Sequence, residues 1–231
     1  KLIMNGCNGK MGQVISRLAE EDSEVEIVAG VDINTQIKNT YPVYTSIDEF
    51  DGEADVVIDF SHPSCLNNVL NYCKRTKTAV ILATTGFSAD DKANFEAASK
   101  EIPVFFSANM SLGINLLISL AKQAAKLLEG NFDIEIVERH HNKKLDAPSG
   151  TALAIADAIG ETLSYPGEYV FDRHNVRRQR KSTEIGISAV RGGTIVGDHE
   201  VIFAGNDEVI ELSHHAASKE VFAVGAIKAA K

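Results

Sequence analysis

Side chains that could move protons are concentrated in one polar stretch of the chain. His140 and His141 stand side by side, and Lys143 and Lys144 follow them closely. An imidazole exchanges protons near neutral pH because its reference pKa is about 6.5. The two ammonium groups attract anions, and Ser149-Gly150-Thr151 predicts a helix start, which also favours negative charge. The pattern is typical of a site that holds an acidic small molecule beside a proton donor.

A second pattern lies near the start of the sequence. The apolar residues 2–4 predict a strand, and they lead directly into Gly6, Gly9 and Gly12, after which apolar residues recur at helical spacing. Glycines allow a tight turn and a close approach of backbone N–H groups to a pyrophosphate. Asp32 ends the next apolar run, about 20 residues later, where a carboxylate can bind a ribose diol. The pattern predicts a dinucleotide-binding unit, and an ordinary strand–turn–helix is the alternative.

Composition restricts the class of protein. The chain has 231 residues, of which 44% are hydrophobic and 24% charged, as expected for a folded globular protein. A net charge of −9 argues against general nucleic-acid binding. No apolar run approaches the roughly 20 residues that span a bilayer, and the sequence shows no pattern of a signal peptide before the first predicted strand. We therefore expect a cytoplasmic protein that binds neither nucleic acid nor membrane.

The sequence gives little support for metal or thiol chemistry. Cys7, Cys65 and Cys73 form no metal motif, and Cys73 shares a predicted helical face with apolar residues. The adjacent imidazoles of His140 and His141 lack a carboxylate or cysteine at ligand spacing. We expect no metal site, and we expect the thiols to stay reduced, as is usual in the cytosol.

The first half of the chain alternates predicted strands and helices. Residues 55–60, 78–83 and 104–106 are short apolar runs, as in strands buried on both faces of a parallel sheet. Ser88 and Asp91 predict a capping box at the start of a helix. Polar loops follow the strand ends, where ligands of such sheets bind.

The second half has a different pattern. Residues 112–129 predict a long helix, and residues 132–136 alternate as a half-buried strand that ends before the histidines, leaving them in a loop. Residues 149–163 predict a helix. Later segments predict antiparallel strands at residues 184–190, 195–203 and 209–213, and a final helix at residues 218–231.

The predicted fold is α/β, with a Rossmann-like parallel-sheet dinucleotide-binding domain and an α+β substrate domain that has a mixed or antiparallel sheet. We place the first domain at residues 1–111, with a C-terminal helix at residues 214–231 returning to it. Residues 112–213 form the predicted substrate-binding and oligomerisation domain.

These motifs together resemble a known family. The segments GCNGKMG, DFSHP, ATTGF, FSANMSLGIN, HHNKKLDAPSGTA and RGGTIVGDHEVIFAG are similar to the motifs of the 4-hydroxy-tetrahydrodipicolinate (dihydrodipicolinate) reductases. The likeness covers essentially the whole chain. It implies an enzyme of lysine and diaminopimelate biosynthesis that uses NADH or NADPH to reduce a cyclic imine dicarboxylate, giving tetrahydrodipicolinate and water.

The resemblance also implies roles for particular residues. His140 is the expected acid–base residue and Lys144 a proton donor, while His141, Gly150 and Thr151 are expected to bind the substrate. Members are usually homotetramers joined through the sheet of the second domain. The cofactor contacts are expected at Gly6, Cys7, Asn8, Gly9, Lys10, Met11, Gly12, Asp32, Ala83, Thr84, Thr85, Ser107, Ala108, Asn109 and Met110.

One position departs from the family pattern. Many relatives carry an arginine directly after the ribose-binding acid, where it suits a 2′-phosphate, and this chain has Ile33 there. An apolar side chain cannot pair with a phosphate. We therefore expect NADH to be used at least as well as NADPH.

Other interpretations of the same residues remain open. One alternative is a different NAD-dependent oxidoreductase on the same two-domain plan, such as an amino-acid or a semialdehyde dehydrogenase, of which the latter would need a nucleophilic cysteine. Another is an NAD-sensing regulatory protein, which would not need His140 together with Lys144. His140 and His141 could instead make structural hydrogen bonds. We expect Asp146 to fix its loop. We expect Arg191 to belong to a tight turn, and approach of this turn to the substrate is the alternative.

Overall fold

A computed structural model describes residues 1–107, 109–175 and 177–231. The chain divides into two compact units. Unit 1 contains Lys1–Met110 and Glu220–Lys231, and unit 2 contains Ser111–Lys219.

Unit 1 is built on a sheet of six strands, and all of its strand pairs are parallel. The strands are β1 (Leu2–Asn5), β2 (Ile27–Val31), β3 (Val43–Tyr44), β4 (Val56–Asp59), β5 (Ala79–Leu82) and β6 (Val104–Phe106). Their spatial order is β3-β2-β1-β4-β5-β6, which confirms the predicted Rossmann-like sheet. The order reverses between β1 and β4, and in such sheets the ligand crevice lies at this point.

Helices cover both faces of this sheet. The helices of unit 1 are α1 (Lys10–Glu20), α2 (Leu66–Thr76), α3 (Ala89–Ala98) and, at the end of the chain, α6 (Glu220–Ala230). One core contains Ile3 and Val57, and the other contains Met4 and Ile58, so neighbouring strand residues are buried on opposite faces. Continuous apolar runs are required for strands buried in this way.

In its described residues, unit 2 has a mixed sheet of five strands and two α-helices. Its elements are α4 (Leu112–Leu128), β7 (Asp133–His140), α5 (Gly150–Gly160), β8 (Glu168–Phe171), β9 (Glu184–Arg191), β10 (Gly197–Ala204) and β11 (Val209–Ala216). The strand order is β11-β10-β7-β9-β8. A core containing Ile136, Ile155 and Phe203 lies between one face of this sheet and the two helices.

Several element boundaries differ from those predicted. β9 was expected to be antiparallel, yet it pairs in parallel with both β7 and β8, and the antiparallel pairs of this sheet among the described residues are β10 with β7 and β10 with β11. The last strand, β11, continues through Ala216, and the final helix begins only at Glu220. Residues 214–219, which were predicted to return to the first domain, therefore lie in unit 2. The capping box of Ser88 and Asp91 is confirmed at the start of α3. Within the described residues, no helix is long and apolar enough to cross a bilayer.

Candidate active site

The sequence pattern predicts a loop at His140, but in the structure His140 is the last residue of β7. The strand alternates, with Ile134, Ile136, Glu138 and His140 buried on the side of the helices. The prediction ended the strand at Ile136 because polar residues follow, but the period of two continues through them. The proton-transfer candidate is therefore held by a strand in the centre of a sheet.

Glu138 joins three separate parts of unit 2. Its side chain has no exposed surface. One carboxylate oxygen, Oε2, accepts hydrogen bonds from His140 Nδ1 at 2.6 Å and from Arg191 Nη1 at 2.7 Å. The other oxygen, Oε1, accepts from Arg191 Nη2 at 2.7 Å and from the backbone N–H of Ser149 at 2.9 Å. This one carboxylate therefore links β7 to β9 and to the start of α5.

The charges around this pair favour an ionised Glu138 beside a neutral His140. Burial raises the pKa of the Glu138 carboxyl, but hydrogen bonds from Arg191, His140 and Ser149 hold it below its ordinary value. Burial lowers the pKa of His140, and the charges of Lys144 and Arg191 act in the same direction, while Glu138 opposes them. Nε2 makes no hydrogen bond within the described part of the chain, and it lies beside Gly197, where an added Cβ would come within 3.0 Å of it. The imidazole can thus accept or donate a proton at Nε2.

Lys144 and the start of α5 both contact Asp146. The Lys144 Nζ atom lies 2.9 Å from Asp146 Oδ1. Burial raises the pKa of the Asp146 carboxyl, but hydrogen bonds from Lys144 and from the backbone N–H of Gly150 lower it overall. Ser149 caps the helix, because its Oγ accepts a hydrogen bond from the N–H of Ala152 at 3.1 Å. An ammonium and a helix N-terminus therefore face the same carboxylate, which marks a place suited to an anion.

The remaining candidates for substrate contacts lie nearby in the same unit. His141 follows β7 directly, and its Nδ1 atom is buried without a hydrogen-bond partner among the described residues. Gly150 is exposed, with nothing within 4 Å of an added Cβ, and Thr151 follows it in the first turn of α5. The helix start is thus open beside Gly150.

Sequence reasoning missed three side chains of this site. Glu138 and Arg191 form the ion pair described above, whereas Arg191 had been interpreted as part of a turn. His199 was not singled out, yet its ring centroid lies 5.2 Å from that of His140 and its Nε2 lies 3.1 Å from Ser149 Oγ. The alternation of the strands is the sequence signal that could have revealed Glu138 and His199. It places both side chains on the buried face, where they occupy directly paired positions of β7 and β10.

The glycine loop of unit 1 has the close contacts that a nucleotide-binding turn requires. Gly6 has a φ of +81°, which favours glycine, and a Cβ added at Gly12 would lie 2.1 Å from the backbone oxygen of Gly6. Gly9 is the N-cap of α1 and supplies no side-chain hydrogen bond. Asn8, Cys7 and Met11 lie within this loop or the first turn, and Lys10 begins the helix with an exposed side chain.

Asp32 is fixed at the end of β2. One carboxylate oxygen accepts a hydrogen bond from the backbone N–H of Asn8 at 3.0 Å, and the other accepts from that of Asn34 at 2.9 Å. The neighbouring Ile33 is 94% exposed. A cavity of about 280 Å³ is lined by Asn5, Gly6, Gly9, Val31, Asp32, Ile33, Thr45, Phe60, Ser61, His62 and Cys65.

A buried carboxylate organises the neighbouring strand ends. Asp59 ends β4 and accepts hydrogen bonds from Asn5 Nδ2 at 2.7 Å, from Ser61 Oγ at 2.5 Å and from Thr84 Oγ1 at 3.0 Å. Of the other expected cofactor contacts, Ala83 is buried after β5 and Thr85 is exposed beside it. Ser107, Asn109 and Met110 follow β6, with a hydrogen bond of 2.7 Å from Ser107 Oγ to the Asn109 carbonyl, and Ala108 lies outside the described residues.

Comparison with known proteins identifies the family. The family model described as dihydrodipicolinate reductase, N-terminus, matches residues 1–110, and the corresponding C-terminal model matches residues 113–231. A 4-hydroxy-tetrahydrodipicolinate reductase of Caldanaerobacter subterraneus subsp. tengcongensis is 60% identical over 231 residues, which are 100% of this chain and 91% of that protein. The chain belongs to the dihydrodipicolinate reductase family.

Two further comparisons agree with this membership. A 4-hydroxy-tetrahydrodipicolinate reductase of Clostridium perfringens is 50% identical over 230 residues, covering 99% of this chain and 90% of that protein. A dipicolinate-bound dihydrodipicolinate reductase from Paenisporosarcina sp. TG-14 has the same fold, with a TM-score of 0.81 at 24% identity, covering 99% of this chain and 92% of that one. Membership makes this chain an oxidoreductase with a Rossmann-like domain.

The thiols of this family member are poorly suited to nucleophilic catalysis. Burial raises the pKa of Cys7 to about 11 and that of Cys73 to about 12, so both stay protonated at neutral pH. All three cysteines are free, and Cys65 lines the cavity near Asp32. In the described parts of the chain, no three His, Cys, Asp or Glu side chains converge into a group that could hold a metal ion.

Proposed function

We propose that this family member reduces 4-hydroxy-tetrahydrodipicolinate, by way of dihydrodipicolinate, to tetrahydrodipicolinate and water in lysine and diaminopimelate biosynthesis. The observation that carries the proposal is the hydrogen-bonded group around Glu138. It connects His140 at the end of β7 to the start of α5. This group supports a fixed arrangement of the proton-transfer residue and the anion-binding helix end. The similar proteins of Caldanaerobacter and Clostridium perfringens are named as 4-hydroxy-tetrahydrodipicolinate reductases, which also supports the proposal.

The chain supplies protons and charge stabilisation for this reaction. The reduced nicotinamide cofactor, when bound, supplies a hydride to the conjugated imine. The negative charge that develops on the substrate must then be protonated. Lys144 stabilises that charge with its ammonium, and His140 delivers or accepts a proton at Nε2. General acid catalysis of this type contributes roughly 10²- to 10⁴-fold to the rate.

Two carboxylates on the substrate account for the other polar groups. Gly150 and Thr151 bind one carboxylate at the N-terminus of α5, where the helix dipole and the N–H groups favour an anion. His141, the residue directly after β7, also contacts the substrate. The Asp146 carboxylate contacts Lys144 and the backbone N–H of Gly150. A substrate carboxylate that binds to these two groups takes the place of Asp146. A dipicolinate-bound relative has been solved, which makes this planar dicarboxylate a suitable probe for the present chain.

A nicotinamide dinucleotide fits the loops of unit 1. Gly6 and Gly12 leave space that a Cβ would fill, and the first turn of α1 lacks a side-chain cap that would occupy its N–H groups. These features support a pyrophosphate at residues 6–12 and a ribose at Asp32. Thr84, Thr85 and residues 107–110 hold the nicotinamide half. A structurally similar protein, GenD2 of gentamicin A biosynthesis, was solved with NAD, at a TM-score of 0.63 and 14% identity.

NADH is used at least as well as NADPH in this proposal. Asp32 places a negative charge where a 2′-phosphate would lie, and the side chain of Ile33 offers that phosphate no hydrogen-bond donor. Lys10 and Lys38, both exposed in the same unit, are the cations that would have to compensate. Titration of the protein with both nucleotides tests this preference. An affinity for NADPH that is tenfold or more higher than that for NADH would overturn it.

We also propose a cytoplasmic homotetramer. One face of the unit 2 sheet packs against α4 and α5, and among the described residues no helix covers the other face, which exposes Val190 and Val209. Light scattering should then give a mass of about 100 kDa, four times the 25.0 kDa of one chain. Three free thiols agree with a reducing compartment, and cell fractionation tests the location.

The reaction is tested by following NADH oxidation while a synthase generates the substrate in the same cuvette. The parent protein should turn over, and His140→Ala and Lys144→Ala should each lose at least about a hundredfold in kcat/KM. Lys143→Ala and His174→Ala, which change exposed side chains of the same types, should remain close to the parent. Binding of NADH, measured by fluorescence, should be unchanged in all four variants.

Three outcomes are informative. Turnover that disappears only in the His140 and Lys144 variants supports both the reaction and its site. A folded parent that binds NADH but does not consume it with this substrate would contradict the proposed activity and favour the NAD-sensing alternative. Full activity in both variants would contradict the site while leaving the activity in place.

A further inference from the structure

Glu138 has an unusual environment for a charged side chain. It is completely buried, and a buried carboxylate is costly unless its lone pairs are satisfied. Both oxygens are satisfied here by donors from three different elements: His140 on β7, Arg191 on β9 and Ser149 at the start of α5. The arrangement does more than pair two charges, because one of the partners is the residue to which the proposed function assigns proton transfer.

We propose that Glu138 and Arg191 form a positioning pair that sets the tautomer and the charge of His140. The part of this inference that concerns the reaction rate rests on the proposed function. Its effect on the imidazole does not depend on that function. Neither residue is assigned a contact with substrate or cofactor, so both act through His140.

The tautomer follows from the hydrogen bond. Glu138 is an acceptor when ionised, so His140 Nδ1 must carry the proton in the 2.6 Å contact. Neutral His140 then has its lone pair on Nε2, and the protonated form has its second proton there. Every exchanged proton therefore passes through Nε2, which no hydrogen bond engages within the described part of the chain.

The charge of His140 depends on a balance between the two members of the pair. The ionised Glu138 stabilises a protonated imidazole, whereas Arg191 acts against it both directly and by neutralising Glu138. The other groups that face His140 are Lys144 in the following loop and His199 on β10, and Lys144 also disfavours the protonated form. Removing Glu138 and removing Arg191 should thus shift the titration of His140 in opposite directions.

The experiment compares Glu138→Gln with Arg191→Met. Nuclear magnetic resonance of the histidine side chains follows the titration and tautomer of His140, whose signals are assigned by their loss in His140→Gln. We expect His140 to titrate at least about one pH unit lower in Glu138→Gln and at least about one unit higher in Arg191→Met. The acid limb of the kcat/KM profile should move in the same directions, and kcat at neutral pH should fall by about tenfold or more in Glu138→Gln.

Further variants separate positioning from folding. Arg191→Lys keeps the charge and should move the titration less than Arg191→Met. The double variant Glu138→Gln, Arg191→Met removes both charges, which avoids leaving a buried carboxylate unpaired if the single variant does not fold. Arg139→Met is the matched control, because Arg139 forms a 2.7 Å ion pair with Glu200 from the opposite side of the same strand. It should leave the His140 titration unchanged.

The results distinguish this inference from the proposed function. Opposite shifts in the two variants, with dipicolinate affinity within about threefold of the parent, support the positioning pair. Shifts of the same sign, or none, would overturn it even if the parent is fully active. A parent that shows no turnover would contradict the proposed function, and the resonance titrations would still decide whether Glu138 and Arg191 control His140.

Discussion

Two buried carboxylates, one in each unit, perform the same physical task. Glu138 and Asp59 each lie at or near the end of a central strand, and each collects donors from segments that are distant in sequence. Burial raises the pKa of Asp59, whereas the guanidinium of Arg191 helps to keep that of Glu138 low. The partners of Asp59 are uncharged, which is the chemical difference between the two sites.

Asp59→Ala should destabilise unit 1 and weaken nucleotide binding. The substitution leaves the buried donors of Asn5, Ser61 and Thr84 without their acceptor. Unsatisfied buried polar groups cost about 1 to 3 kcal/mol, so we expect urea denaturation to show a loss of about 2 to 3 kcal/mol. The dissociation constant for NADH should rise by about tenfold, because these donors position the loops at the strand ends.

Asp51→Ala is the control for this variant, because Asp51 is exposed and belongs to the same unit. It should leave both the unfolding free energy and the NADH affinity unchanged. If Asp59→Ala behaves like Asp51→Ala, the buried carboxylate does not organise the strand ends.

At the scale of elements, the predictions succeeded where local pattern alone determines the structure. The apolar strands of unit 1 and the capping box at Ser88 and Asp91 depend on short-range periodicity and hydrogen bonding, and both were found. The end of β7 was placed too early, because polar residues at a strand end look like a loop unless their buried partners are known. Arg191, the partner of Glu138, lies on another strand, and a single sequence does not reveal that pairing.

The parallel pairing of β9 was missed for a related reason. Three strands in succession near the end of a chain usually form an antiparallel meander, and β10 and β11 do so. β9 instead inserts between β7 and β8, where it is parallel to both. Its place beside β7 brings Arg191 to the end where His140 lies, since these two residues are directly paired.

Gly12→Ala tests how the junction of β1 and α1 is built. An alanine Cβ at this position would lie 2.1 Å from the Gly6 backbone oxygen and 2.6 Å from atoms of Cys7, so the loop would have to move. We expect the dissociation constant for NADH to rise by at least about tenfold, measured by fluorescence titration, since the backbone must approach the pyrophosphate closely.

Gly160→Ala provides a matched substitution in another helix. Its added Cβ would make an ordinary contact of 3.5 Å with the hydroxyl of Tyr169. Nucleotide affinity should be retained in this variant. Parent-like NADH affinity in Gly12→Ala would show that the tight glycine junction is not part of the cofactor site.

For the molecule as a whole, His199, one of the buried histidines of unit 2, should control part of the response to acid. His199 is 3% exposed, and burial, reinforced by the charge of His140, lowers its pKa from 6.5 to about 4. The unfolded chain therefore binds a proton at this residue between about pH 6.5 and 4, and the folded protein does not. Stability should consequently fall as the pH drops through this window, with a full difference of about 3 kcal/mol for a shift of this size.

The window is distinct from that of the ion-paired carboxylate Glu184. Burial raises the pKa of Glu184, but the guanidinium groups of Arg173 and Arg178 outweigh it and lower the pKa to about 2. Its stabilising effect is present above the ordinary carboxyl pKa of 4.5 and is lost as the pH falls towards about 2. Measurements between pH 7 and 4.5 therefore contain little contribution from Glu184.

His199→Gln should make thermal stability less dependent on pH in that range. Glutamine removes the titrating imidazole while keeping a polar group that can reach Ser149 Oγ, the present neighbour of Nε2 at 3.1 Å. In calorimetry, the decrease in Tm from pH 7 to 4.5 should be smaller for His199→Gln than for the parent, whatever the Tm of the variant at pH 7. His215→Gln, which changes a histidine with a 65% exposed side chain, should retain the slope of the parent. Equal slopes in all three proteins would mean that protonation of His199 does not accompany unfolding, and the acid sensitivity would then have to come from other groups, such as His140.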